Sequence, residues 1–179
     1  MGSLALSSDT AHFIKGEINY LDWPEHSSVL ELANYWLAKR GDRTMPFRAE
    51  IRPADIPALL PYLIINEVVN DGADFRIRLY GTEMIRLSGE ERTGKLISEI
   101  GGNPETLPHR RRTQARWLEI NRRAYETVEP VYARLVMLNE RNASRDAHAV
   151  ALPLTVTGNA VEQVLGAIFT APSKERPQE

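Results

Sequence analysis

A hairpin pattern in the middle of the chain restricts the fold more than any other feature. Residues 63–69 are mostly apolar, residues 70–73 read Asn-Asp-Gly-Ala, and residues 75–80 alternate apolar with polar side chains. Such alternation is typical of a strand with one buried face, and Asn, Asp and Gly favour tight turns between antiparallel strands. We therefore predict a β-hairpin. The side chains predicted to face its core are Phe75, Ile77 and Leu79, with Arg76, Arg78 and Tyr80 on the opposite face.

The segment before the hairpin predicts a helix over residues 29–40. Ser28 and Glu31 match a capping box, in which two side chains satisfy free backbone N–H groups at a helix start. A shorter helical segment is predicted over residues 53–62, because Pro53 suits the first position of a helix. The apolar stripe of the first helix must be buried, either on the sheet or on a second subunit. This stripe consists of Val29, Leu32, Ala33, Trp36 and Leu37.

The segments after the hairpin complete the pattern of an α+β domain. Residues 83–99 indicate short helices broken at Gly89 and Gly94, and residues 105–128 indicate one long helix. Residues 131–138, 148–156 and 161–170 are three further strand candidates, and strands joined by tight turns pair antiparallel. We predict a five-stranded antiparallel sheet with helices on one face, plus an N-terminal helix.

Length and charge define the domain plan and the compartment. The 179 residues suffice for one core, which we place at residues 28–170, between a partly flexible extension (1–27) and a flexible tail (171–179). The formal net charge is −2, no apolar stretch is long enough to cross a bilayer, and the first ten residues lack a signal-peptide pattern. These features predict a cytoplasmic protein with neither a membrane nor a nucleic-acid partner.

A series of short motifs occurs in a fixed order along this pattern. They are Tyr35-Trp36, Arg40-Gly41, Ile51-Arg52-Pro53, Leu60-Pro61-Tyr62, Phe75-Arg76-Ile77, Gly81-Thr82, Thr93-Gly94 and Leu152-Pro153-Leu154. In this order they resemble the PAS family, and most closely the single-domain PAS proteins of proteobacteria first catalogued as a domain of unknown function. The resemblance spans about residues 30–169. It implies a sensory or adaptor role, because PAS modules bind small ligands, cofactors or partner proteins, and it does not identify a ligand or a cofactor.

Aromatic residues on the long helix indicate where a ligand would bind. Trp117 and Tyr125 lie two helical turns apart and can share the face that packs on the sheet. Together with strand residues they would line a mostly apolar interior, which is either a filled core or a true cavity. The candidate pocket residues are Ile77, Leu79, Trp117, Tyr125, Leu135 and Met137.

Catalytic and metal-binding patterns are missing from the sequence. It contains no HExxH motif, no placed Ser-His-Asp set and no histidines at metal-ligand spacing, so we predict no enzymatic activity and no metal site. The absence of cysteine excludes a flavin–cysteine adduct of the LOV type. Residues 89–95 match the start of a phosphate-binding loop, but Leu96 replaces the required hydroxyl residue and Glu90 and Glu91 would repel phosphate. We interpret this segment as a turn between short helices.

The long helix is rich in arginine. Residues 105–125 contain six arginines and two glutamates, a local net charge of +4, which we interpret as a solvated face, the alternative being an anionic partner. Two functional hypotheses remain. The first is a sensor that binds a small apolar or amphipathic ligand between sheet and long helix, and relays binding through a dimer or partner protein. The second is a ligand-free adaptor that dimerises through Val29, Leu32 and Trp36.

Overall fold

A single antiparallel sheet of six strands forms the centre of the molecule. The structure, a computed structural model, describes residues 18–101, 108–138 and 144–170. The strands are β1 (Asn19–Leu21), β2 (Leu63–Val69), β3 (Asp74–Tyr80), β4 (Val131–Leu138), β5 (Ser144–Leu154) and β6 (Gln163–Thr170), and their order across the sheet is β1-β4-β5-β6-β2-β3. The α+β class and the antiparallel sheet are confirmed. The predicted strand number was too low by one, because the three residues of β1 are too few to show alternation.

Three helices and four 3-10 turns complete the described fold. The helices are α1 (Ser27–Arg40), α2 (Thr82–Ser88) and α3 (Pro108–Thr127), and the 3-10 turns are Arg48–Glu50, Pro53–Asp55, Leu60–Tyr62 and Ile97–Glu99. The short helical segment predicted over residues 53–62 is divided into two 3-10 turns, because Pro57 disfavours helical backbone at Ile56. The predicted positions 105–107 of the long helix and the predicted tail 171–179 lie outside the described residues, as does most of the predicted extension.

Helix α1 begins differently from the prediction. The cap is His26, whose Nδ1 accepts a hydrogen bond from the backbone N–H of Ser28 at 3.1 Å, so the predicted box of Ser28 with Glu31 is wrong. Burial lowers the pKa of His26, which keeps Nδ1 available as an acceptor at neutral pH. Gly41 follows the last helical residue with a φ of 57°, a conformation that glycine adopts without strain.

Both faces of the sheet are covered. Helix α3 lies on one face, which we call the inner face, where the Tyr20 hydroxyl of β1 donates to Glu119 of α3 at 2.8 Å. Helix α1 lies on the opposite, outer face against β5 and β6. The side chains of Val29, Leu32 and Trp36 are 2%, 0% and 0% exposed there. The apolar stripe is therefore buried on the chain's own sheet, and a second subunit could reach these three side chains only if α1 left the sheet.

A bulge in the β2–β3 hairpin changes which side chains face inward. Ile65 pairs with Leu79 whereas the next residue of β2, Asn66, pairs with Ile77, so Arg78 is an extra residue on β3. Paired residues share a face, and neighbouring β2 residues alternate. Leu79 therefore lies on the outer face and Tyr80 on the inner face. The prediction for both residues was wrong, because it assumed unbroken alternation along β3.

The turn between β5 and β6 is held by one carboxylate. Glu162 accepts hydrogen bonds from the backbone N–H groups of Val156 and Thr157, both at 2.6 Å, and from the hydroxyl of Thr155 at 3.2 Å. The backbone N–H groups of Thr157 and Val156 hold the pKa of Glu162 below its usual value. The ionised carboxylate is therefore the form that fits the folded turn.

We expect Glu162→Gln to lower the midpoint of thermal unfolding at pH 7, because an amide is a weaker acceptor for two N–H groups. A carboxyl with a depressed folded pKa stabilises the fold above its unfolded pKa, about 4, and loses that contribution as the pH falls through the folded value. The difference between variant and wild type should therefore shrink towards pH 3, as measured by circular dichroism melts. An undiminished difference at pH 3 would contradict this role of the charge.

Candidate functional site

Two small cavities lie on the inner face, on either side of the Trp117 side chain of α3. The β4 cavity is bounded by Trp117, Ile120, Leu135, Met137 and Ile168. The β3 cavity is bounded by Trp117, Ile64, Asn66, Ile77, Tyr80, Arg92 and Ile97. Each has a volume of about 10 Å³ for the centre of a water molecule, which is room for about one water. Neither of these two cavities therefore admits more than about one water while Trp117 occupies this position.

The structure brings four of the six candidate pocket residues to these cavities. Trp117 lines both, Leu135 and Met137 line the β4 cavity, and Ile77 lines the β3 cavity. Leu79 is turned to the outer face by the bulge. Tyr125 packs instead on the hairpin turn, where a Cβ built on Gly72 would lie 2.4 Å from its Cδ1. Trp117 and Tyr125 both lie on α3, but Tyr125 lies beyond the cavities at the end of the sheet.

A buried pair of asparagines borders the β3 cavity. Asn66 is 1% exposed, and its Nδ2 donates to Oδ1 of Asn121 at 2.9 Å, while Nδ2 of Asn121 donates to the backbone oxygen of Trp117 at 2.8 Å. The Oδ1 of Asn66 has no hydrogen-bond partner within the described part of the chain. A buried acceptor left unpaired costs about 1–3 kcal/mol. Asn66 lines the cavity, so a bound donor that reached this oxygen after a rearrangement of the surrounding side chains would be favourable.

Arg92 and Tyr80 form the polar end of the β3 cavity. The side chain of Arg92 is 7% exposed, its Nε donates to Oε1 of Glu90 at 3.0 Å, and its guanidinium carbon lies 5.9 Å from the centroid of the Tyr80 ring. Burial raises the pKa of Tyr80, so its hydroxyl is neutral at physiological pH. The cavity is therefore amphipathic, because a cation, a phenol and an amide line it together with several isoleucines.

The carboxylate of Glu90 is surrounded by cations. Besides Arg92, it has Arg110 Nη1 at 3.6 Å and Lys95 Nζ at 3.7 Å. Burial alone would raise the pKa of Glu90, but its attraction to Arg92, Lys95 and Arg110 outweighs burial and holds the pKa below its usual value. Three positive charges therefore meet one negative charge, a local net of +2, beside the polar end of the β3 cavity.

Sequence reasoning missed the polar groups of this site. Asn66 had a signal, since it is the one amide in the apolar run of β2. Arg92 had none, because nothing in the turn of residues 89–95 distinguishes a buried arginine from a solvated one. Tyr80 was assigned to the wrong face. The position of each of these side chains depends on contacts with a segment that is distant in the sequence.

Trp117→Ala should join the two cavities and test whether the Trp117 side chain separates them. We expect a loss of about 2 kcal/mol of unfolding free energy, because part of an aromatic side chain leaves the core. Added indole should restore the melting temperature of Trp117→Ala, since it can refill the space, and should affect Trp117→Phe less. An equal response of the two variants to indole, measured by thermal denaturation, would contradict the joined cavity.

Other kinds of site receive no support from the described residues. No group of three or more His, Asp and Glu side chains lies close enough together there to hold a metal ion. No helix in that part of the chain is both long and apolar enough to cross a membrane.

Comparison with known proteins supports one family. A family model described as a PAS domain matches residues 24–169. No curated protein sequence matches the chain. Similar solved structures include the Rhodobacter sphaeroides LOV protein (15% identity, TM-score 0.45, 68% of each chain covered) and the Vibrio cholerae VqmA dimer (11% identity, TM-score 0.48, 70% of this chain and 52% of that chain). The PAS domain of a Colwellia psychrerythraea protein is a third (10% identity, TM-score 0.44, 66% of this chain and 95% of that chain). Because the sequence identities and TM-scores of these structures are low, the family assignment depends on the family model alone.

Proposed function

The chain belongs to the PAS domain family, and from this premise we propose that it senses a small amphipathic molecule bound in the β3 cavity. A sensory or signalling role is the general property of the family; the ligand and its relay are our proposal. The observation that carries it is the unpaired Oδ1 of Asn66, buried beside an apolar wall. A binding pocket typically combines such a wall with a few convergent polar groups.

Binding requires the Trp117 side chain to move. The two cavities together offer little space while Trp117 lies between them, and this side chain is only partly buried. A ligand that occupies the joined cavity binds only the conformation in which Trp117 is displaced. It therefore shifts the population towards that conformation, which is the change that a partner can read.

Strand β6 offers a route from the cavities to the outer face. Ile168 lines the β4 cavity, and its neighbour Phe169 stacks on the His26 ring with a centroid distance of 5.2 Å. His26 caps α1 through the N–H of Ser28. A shift of β6 that accompanies ligand binding would therefore act on the start of α1, and we propose that the docking of α1 is the readout.

The experiment uses native mass spectrometry to find molecules that remain bound to the purified chain, followed by hydrogen exchange with and without the bound molecule. We expect an amphipathic ligand of low mass and altered exchange in the first turn of α1. Comparing indole with 1-methylindole tests whether the ligand donates a hydrogen bond to Asn66, because only indole has an N–H group. No bound molecule, together with no change in melting temperature across a metabolite panel, would contradict the proposal.

A ligand-free adaptor is the second candidate, and the small volume of both cavities favours it. Because Val29, Leu32 and Trp36 are buried, an adaptor would use the opposite side of α1, which includes Leu30 and Asn34. This function predicts a homodimer in sedimentation equilibrium that Leu30→Glu dissociates and Asn34→Asp leaves largely intact. A monomer at high protein concentration would exclude it.

A further inference from the structure

We infer that the ligand of the β3 cavity is an amphipathic anion, a small carboxylic acid with an apolar body, and that Arg92 binds its carboxylate. This inference rests on the proposed function, since it specifies the ligand class of the same site. It is carried by the charges around Glu90, by the burial of Arg92 and by the arrangement of the apolar wall.

The charge around Glu90 is not balanced by the described residues that contact it. Arg92, Lys95 and Arg110 lie within 3.7 Å of its carboxylate, and their combined charge exceeds that of Glu90 by two. Lys95 and Arg110 have 45% and 25% of their side chains exposed and are partly screened by solvent. Arg92 has 7% exposed and shares the single carboxylate of Glu90 with both of them. A second carboxylate near Arg92 would therefore be favourable.

Arg92 has the donors for two carboxylates. Its hydrogen bond to Glu90 is made by Nε. A guanidinium carries further N–H donors on both Nη atoms, and it binds carboxylates in a planar, forked geometry. Tyr80 also lines the cavity, and its neutral hydroxyl, which interacts with Ser88 and Arg92, carries an uncharged donor. Both residues can therefore donate hydrogen bonds to a carboxylate.

The apolar wall determines what else the ligand must carry. Ile64, Ile77 and Ile97 also line the cavity, with Trp117 between it and the β4 cavity. An inorganic anion would gain nothing from these side chains and would lose its hydration beside them. A carboxylic acid with an aromatic or aliphatic body would place its acid group at Arg92 and its body along the isoleucines.

The test compares phenylacetate with phenylacetamide, which have nearly the same shape. Only the acid is charged, whereas only the amide has N–H donors, which Asn66 would favour, so a preference for the acid is attributable to its charge. By calorimetry at pH 7, wild type should bind the acid about tenfold or more tightly than the amide, as expected for a hydrogen bond to a charged group. Arg92→Gln should reduce this ratio to about one, and Arg92→Lys should retain part of it. Arg78→Gln is the matched control, because Arg78 is exposed on the outer face and pairs with Glu67 at 2.6 Å.

Each other outcome overturns the inference in a distinct way. Equal affinity for acid and amide would overturn the ligand class while leaving the proposed function intact. An acid preference that survives Arg92→Gln would overturn the role of Arg92, and Tyr80→Phe provides a second variant should Arg92→Gln fail to fold. Tighter binding of inorganic phosphate than of phenylacetate would overturn the amphipathic class. Binding of neither probe would overturn the inference, and native mass spectrometry then decides the proposed function independently.

Discussion

Trp36→Ala is expected to lower the free energy of unfolding by about 3–5 kcal/mol, the largest loss that we predict for a single substitution. The Trp36 side chain is 0% exposed between α1 and the sheet, and its Nε1 donates to the backbone oxygen of Pro153 at 2.9 Å. Removing the indole leaves a cavity and an acceptor without its partner. Chemical denaturation at pH 7 measures this loss.

Two controls separate packing from the hydrogen bond. Trp23 is 65% exposed, so Trp23→Ala should change the unfolding free energy by less than about 0.5 kcal/mol. Trp36→Phe keeps most of the ring volume and removes the N–H. Its loss of unfolding free energy should therefore lie between those of Trp36→Ala and Trp23→Ala. If Trp36→Ala cost no more than Trp23→Ala, α1 would not be docked on the sheet in solution. Its apolar stripe would then be available to a second subunit, as the adaptor hypothesis first assumed.

The position of Pro153 explains why this hydrogen bond forms. Strand β4 begins at Val131, which pairs with Ala151, so Pro153 extends past the β4 neighbour on that side of β5. Proline has no N–H to satisfy, and its oxygen accepts from Trp36 instead. The motif Leu152-Pro153-Leu154 is one of those that carry the family resemblance of the sequence. Its contact with Trp36, 117 residues away, could not be read from local pattern.

The sequence predicted those parts of the fold that local pattern determines. The hairpin was predicted from the alternation along β3 and the turn residues before it, and β4 to β6 were predicted as strand candidates joined by turn residues. Strand β1 was missed, since its strand identity depends on pairing with β4. The bulge at Arg78 was missed for a related reason. Its position depends on the register of β2 against β3, and the residues of β3 alternate without interruption.

The candidate site was predicted only on its apolar side. Trp117, Leu135, Met137 and Ile77 were found because apolar residues at regular spacing must be buried somewhere. Whether a charged residue in a turn is buried depends on what lies across from it. Arg92 is covered because its segment folds back on β3, where the N–H of Ile77 donates to the oxygen of Lys95 at 2.9 Å. That contact, absent from any local pattern, makes the cavity amphipathic.

The second large effect that we predict concerns the asparagine pair: the losses of unfolding free energy from substitutions at Asn66 and Asn121 should not add. Asn121→Leu would leave both polar ends of the Asn66 amide unpaired in the core, and Asn66→Leu would leave Oδ1 of Asn121 without its donor. Each single substitution should cost about 1–3 kcal/mol. The double variant should be close to wild type in stability, because an apolar pair of similar shape leaves no buried polar group unpaired. Unfolding free energies of the four proteins form the double-mutant cycle.

The same cycle separates stability from binding. If Asn66 contributes a contact to the ligand, the stable double variant should bind indole no better than 1-methylindole, whereas wild type should prefer indole. Asn34→Leu, an exposed position on α1, is the control for surface effects. Additive losses in the cycle would show that the two amides do not interact in solution. A double variant that is stable and yet retains the preference for indole would mean that the donor of the ligand is bound elsewhere than at Asn66.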